Sequence, residues 1–166
     1  MKWENHKIVT ISIVYLFTSN VISALIAGFG ALFPDLIEGS AINSRSKHRT
    51  VSHWFPLYAI PLVLVIFSFS GEPYLLSVSE VVNNLEDFLA QEKSYYIVKV
   101  FSLWFLVGCL FHIFEDSLTG RIPLKSPFRK VLLFRKRLFH TGSFKEYLFS
   151  FLIFGVAFLK FWFLMR

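Results

Sequence analysis

The sequence predicts an all-α, polytopic membrane protein, and three observations carry that prediction. First, 55% of its 166 residues are hydrophobic, 21 of them Phe, and the mean hydropathy is +0.57; a soluble domain of this length could not bury so much apolar surface. Second, the apolar residues fall into runs of membrane-span length, separated by polar segments. Third, the formal charge of +6 is concentrated in the segments between runs, as the positive-inside rule produces. The length predicts one domain, residues 1–166. Cys109 is the single cysteine, which excludes an intramolecular disulfide or a cysteine-based zinc site and leaves packing as its role.

Ile8 to Phe33 is almost continuously apolar. As one helix it would run about 39 Å, longer than a ~30 Å hydrocarbon core, and Thr18-Ser19-Asn20 interrupts it. One long tilted helix or a hairpin turning at Ser19-Asn20 both satisfy the pattern, giving four or five spans in all. Only the hairpin brings His6 and Asp35 to one side of the membrane. Lys2 and Lys7 before an apolar run also suit a secretory leader, but the run is too long and lacks a cleavage site, so a retained segment is expected. Ala24, Ala27, Gly28, Gly30 and Ala31 form a small-residue stripe suited to close helix packing, and Pro34 ends the run. The stretch Glu38 to Ser52 reads as a basic cytoplasmic loop. Trp54 to Phe69 reads as a span with an aromatic anchor, in which Pro56 and Pro61 are tolerable.

Gly71-Glu72-Pro73 is a turn, and Tyr74 to Glu92 has the spacing of an amphipathic helix whose acidic character suits the outer surface. Tyr95 onward is a span ending in His112 and Asp116. Ser117 to Glu146 holds most of the positive charge (Arg121 through Lys145) and is expected at the cytoplasmic face near anionic lipid, partly within the interface. Tyr147 to Met165 is the last span. Five membrane helices, the first two as a hairpin, with an amphipathic outer helix, are therefore expected.

The stretch Gly108 to Gly120 concentrates the chemistry. On a helix, His112 and Asp116 share a face one turn apart. Ionisable groups at the exit of an apolar helix must be paired, hydrated or metal-bound. With the hairpin, His6, Asp35, His48, His53, His112 and Asp116 all fall at span ends on the cytoplasmic side. Imidazole and carboxylate are natural ligands for zinc, manganese or iron. Six such groups suit one metal with a spare carboxylate or two metals bridged by an acid, and either arrangement generates a hydroxide nucleophile near neutral pH. Each residue also has a plainer reading. His6 suits an interfacial terminus, Asp35 a helix stop or N-cap, His48 a solvated basic loop and His53 an interfacial position. His112 and Asp116 could form a buried hydrogen-bonded pair that needs no metal. Arg49 can pair a substrate anion or simply supply positive-inside charge. Glu38 and Glu115 read as groups behind the cluster or solvated, and His140 as a surface or phosphate-proximal residue rather than a ligand.

These residues carry a resemblance. His6 near the N-terminus, Leu32-Phe33-Pro34-Asp35 ending an apolar helix, His48-Arg49-Thr50-Val51-Ser52-His53-Trp54, and Gly108, His112, Asp116 and Thr119 followed by Ser126-Pro127-Phe128 together resemble the LexA-regulated, membrane-bound metal-dependent hydrolase family, the YdjM-like group of bacterial inner-membrane proteins. The resemblance covers residues 5 to about 128. It implies an inner-membrane metal-dependent hydrolase with His6, Asp35, His48, His53, His112 and Asp116 as metal ligands, and it supports the hairpin. The family often has an aspartate and a histidine just after Pro-Asp, where this chain has Ile37 and Glu38; Glu38 is the candidate for the missing carboxylate.

The expected function is hydrolysis by a metal-activated water, with zinc first and manganese or iron as alternatives. Glu38 and Arg49 are the candidate catalytic groups, and Arg49 with the Arg121–Arg137 loop would attract an anionic phosphoester, including phospholipid head groups. The alternative is a non-enzymatic membrane scaffold or transporter subunit whose His/Asp cluster binds metal or relays protons. Membrane lipids are the expected partners. Nucleic acid is not, because a short basic loop against the membrane is already explained by positive-inside charge.

Overall fold

The computed structural model describes residues 1–38, 50–69, 91–134 and 136–166. The first apolar run is a hairpin. Helix α1 (Trp3–Thr18) stops where Ser19 takes a left-handed conformation, φ 53°. The turn is built by its own side chains. Thr18 Oγ1 donates back to the Val14 carbonyl and accepts from Asn20 N–H. Asn20 then N-caps α2 (Val21–Gly30), its Oδ1 accepting from Ser23 N–H at 2.8 Å. The chain turns again at Ala31 and Leu32, and Pro34 lies in the first turn of the short helix α3 (Phe33–Glu38), where a missing N–H costs nothing.

A 3₁₀ turn at Val51–His53 leads into α4 (Phe55–Phe67), which has a proline in its first turn. Helix α5 (Gln91–Thr119) returns to the end where α3 lies and is followed by a small antiparallel hairpin of β1 (Ile122–Ser126) and β2 (Arg129–Val131). Helix α6 (Phe144–Leu164) closes the chain. Its N-terminus has the sequence pattern of a capping box, Ser143-Phe144-Lys145-Glu146, with Ser143 Oγ accepting from Glu146 N–H while the Glu146 carboxylate accepts from Gly142 N–H. The helix therefore begins before Tyr147, where hydropathy alone places the span.

Among the described residues, three helical stretches are long and apolar enough to cross a membrane: Val21–Glu38, taken across the turn at Ala31 and Leu32, Ser94–Thr119 and Phe144–Leu164. The remaining two expected spans are shorter, about 24 Å for α1 and about 20 Å for α4 by helical rise. The amphipathic helix expected at Tyr74 to Glu92 falls outside the described residues, except that α5 already begins at Gln91.

Backbone approach holds the bundle together. A Cβ on Gly108 would collide with the Ala27 carbonyl, and one on Gly30 with the Phe105 carbonyl, so α2 and α5 touch main chain to main chain as small-residue interfaces permit. Cys109 is buried in the same seam, its Sγ donating to the Gly30 carbonyl at 3.2 Å. At the far end, two lysines close helix C-termini: Lys160 donates to the Leu16 carbonyl at 2.6 Å and Lys99 to the Ser68 carbonyl at 2.9 Å. Each places a cation against the negative end of a neighbouring helix dipole.

Gly108→Ala should lower the melting temperature in detergent by the equivalent of roughly 1–3 kcal/mol of overpacking. Gly155→Ala on α6, where an added Cβ meets nothing within 4 Å, should be neutral or slightly stabilising. Equal melting temperatures for the two variants would contradict the main-chain contact.

Candidate metal centre

The helix ends at one pole of the bundle gather the polar residues. His6 comes from the second turn of α1, Asp35 from α3, His53 from the 3₁₀ turn, and His112 and Asp116 from the last turns of α5. All are buried, the three histidines completely and Asp35 to 9% exposure. The α1–α2 hairpin is what brings His6 and Asp35 to the same pole.

The inward-facing atoms converge. His53 Nε2 and His112 Nε2 are 3.0 Å apart. Asp35 Oδ1 lies 3.3 Å from His53 Nε2 and 3.6 Å from His112 Nε2. Asp116 lies 3.4 Å from His6 Nε2 through Oδ1, and 3.5 Å from His53 Nε2 and 3.8 Å from His112 Nε2 through Oδ2. His6, Asp35 and His112 form one group able to hold a metal; His53, His112 and Asp116 form a second, and Asp35, Glu38 and His53 a third. These groups overlap, so they describe one centre.

The outward-facing nitrogens are each engaged. His6 Nδ1 donates to Glu115 Oε2 at 2.6 Å, and Thr10 holds the other oxygen of that carboxylate at 2.9 Å. His112 Nδ1 donates to the Ala31 carbonyl at 2.6 Å, at the C-cap of α2. His53 Nδ1 lies 2.9 Å from Ser52 Oγ, which donates onward to Glu38 Oε1 at 2.6 Å. A ring whose Nδ1–H is anchored to an acceptor presents an unprotonated Nε2, the tautomer of a metal-binding histidine. Meanwhile His6 Nε2 and Asp35 Oδ1 are buried with no hydrogen-bond partner, an arrangement that costs free energy unless a cation satisfies it.

Of the residues singled out from sequence, the structure brings together His6, Asp35, His53, His112 and Asp116. Glu38 stands behind His53, 3.2 Å from Nδ1, holding the ring and the Thr50 N–H. Glu115 is fully buried behind His6, and His140 is exposed. His48 and Arg49 lie outside the described residues. The spacing did not point to Thr10, Ser52 or the Ala31 carbonyl. Nor did it point to Glu146, whose buried carboxylate accepts from Lys2 N–H at 2.8 Å, from Gly142 N–H at 2.7 Å and from the Asn5 amide. Those bonds tie the segment carrying His6 to the start of α6. The capping-box pattern was the available signal for Glu146.

The fold and the cluster define an α-helical membrane protein with a buried His/Asp centre, able to hold a metal, at one pole of its bundle. The chain belongs to the YdjM inner membrane protein family, whose pattern matches residues 1–164. No curated protein and no solved structure matches the chain.

His53 stands outside the spanning helices. Burial alone would lower its pKa, but the Asp35 and Glu38 carboxylates beside its ring nitrogens and the charge of Asp116 push it up to about 9. Without metal, the raised value favours a protonated His53, whose Nε2 faces His112 Nε2 at 3.0 Å. Its contribution to stability is complete below the ordinary value of 6.5 and is lost as the pH rises through about 9. Thermal unfolding of the chelated protein in detergent should show the melting temperature falling across that window. His53→Gln should flatten the fall, and an unchanged slope would contradict the assignment.

Proposed function

We propose that this protein is a metal-dependent hydrolase of the inner membrane whose centre faces the cytoplasm. The observation that carries the reading is the convergence of three buried Nε2 atoms, each with its Nδ1 already anchored, on two aspartates. His6, His53, His112, Asp35 and Asp116 would hold the ion, and His48 is a further candidate. Two or three imidazoles with carboxylates suit zinc first, then manganese or iron. An ion bound there supplies Lewis acidity and an activated water at neutral pH.

The chain's own residues then do the rest. Glu115, the Ala31 carbonyl and the Ser52–Glu38 pair fix the three ring orientations. Asp35 and Glu38 are the least enclosed acids of the cluster, with side chains 10% and 11% exposed; they line the approach, and Glu38 is the candidate to accept a proton from incoming water. The basic residues between α5 and α6, with Arg49, favour an anionic phosphoester. Their density also favours the cytoplasmic side by the positive-inside rule.

The depth of burial favours a second reading, a metal-holding or proton-relaying element without turnover, because structural metal sites are closed whereas catalytic ones keep an open position.

Elemental analysis of the detergent-purified protein should find a transition metal, lost in His112→Ala and in Asp35→Ala. Glu115→Ala, which keeps every inward-facing atom, should weaken metal affinity about 10- to 100-fold. A metal-free wild type after reconstitution would remove the hydrolase reading. Metal-dependent turnover of a generic phosphodiester, absent in His112→Ala, separates the enzyme from the closed metal site.

A further inference from the structure

The β1–β2 hairpin follows α5 by three residues and precedes α6, so connectivity puts it at the surface where two candidate spans emerge. A two-stranded hairpin is marginal by itself, and this one is held at its root. Ile122 is buried with Tyr58, Cys109 and Ile113, and Leu124 packs on the same cluster. Its other end is the reverse: Phe128, at the tip, is 83% exposed. Ser126 pairs with Arg129 across the turn, and Lys125 and Arg129 are exposed on either side of Phe128. Leu132, Leu133 and Leu138 continue the exposed apolar surface. From Ser117 to Lys145 the sequence contains no Asp or Glu, so nothing within this segment neutralises its cations.

We propose that Phe128 inserts among the head groups of the adjoining leaflet and that Lys125 and Arg129 bind the phosphate groups of anionic phospholipids there. The argument is charge complementarity joined to position. An exposed phenyl ring flanked by cations, on a root fixed to the bundle, matches an interface whose outer layer is anionic and whose inner layer is apolar. An aromatic ring left in water would forfeit the transfer free energy that insertion recovers. The proposal does not involve the metal centre; Lys125 and Arg129 belong to the basic segment that the hydrolytic reading also draws on, and dye emission reads their lipid contact apart from turnover.

The test places an environment-sensitive dye at Phe128→Cys in a Cys109→Ala background, in the full-length protein reconstituted into bilayers. Phosphatidylcholine alone is compared with phosphatidylcholine mixed with phosphatidylglycerol. Blue-shifted emission protected from acrylamide in the mixed bilayer is expected. Lys125→Gln and Arg129→Gln, which leave the buried root untouched, should each shift the inserted-to-exposed ratio by about fivefold. Water-like emission in both bilayers would overturn the proposal. So would equal insertion in both, since the anionic head group would then play no part, and so would protection appearing only on adding duplex DNA.

Discussion

Two buried imidazole nitrogens facing each other at 3.0 Å are the constraint on which the rest depends. With Nδ1 of each ring committed to an acceptor, both Nε2 atoms present lone pairs, and lone pairs at that distance repel unless positive charge lies between them. A proton on His53 would meet the requirement, and so would a metal ion. The same need recurs around the cluster. Asp35, Glu38 and Glu115 surround the three rings in a low-dielectric setting, while Asp116 is paired with the buried Met1 ammonium, and buried carboxylates are tolerable only when paired with compensating positive charge. The arrangement is built for a cation.

Holding these atoms at such separations demands stiffness, and the stiffness comes from the apolar half of the molecule. Gly30 and Gly108 allow α2 and α5 to meet backbone to backbone, which sets Ala31 beside His112. The carbonyl that a helix must leave unsatisfied at its C-terminus becomes the anchor of a ring on the neighbouring helix. His6 is held from behind by Glu115 and, through Asn5 and Lys2, by Glu146. The small-residue stripe and the polar cluster, which look unrelated along the chain, are parts of one device.

Much of this was legible in the sequence, because membrane helices announce themselves by hydropathy and because histidines and aspartates are rare at span ends. Hydropathy leaves the hairpin at Ser19-Asn20 open between two readings; the deciding fact, that Thr18 and Asn20 bond to the local backbone, is chemistry which hydropathy does not weigh. The start of α6 was placed late for a related reason: Glu146 counts as polar in a hydropathy window, although Ser143-Phe144-Lys145-Glu146 is a helix-start pattern. The β-hairpin within the basic loop was not foreseen. Its strands are short, and Pro123 and Lys125 mask the alternation that would have marked them. The partners behind the rings were only half visible. Glu115 stands next to the motif, but Thr10 and the Ala31 carbonyl are defined by packing, not spacing.

The broken helices at the functional pole follow from the same physics. Irregular backbone is costly at membrane depth unless it lines a polar site, and here the break after Gly30 occurs where Asp35 must enter. A continuous α2–α3 helix would carry Asp35 on past His112 along one axis, while the turn at Ala31 and Leu32 swings it back over the end of α5. Pro34 serves that turn by disfavouring helical geometry at the preceding residue while leaving no N–H unpaired. The discontinuity in the hydrophobic run is therefore the means by which an apolar bundle delivers five polar side chains to a single point.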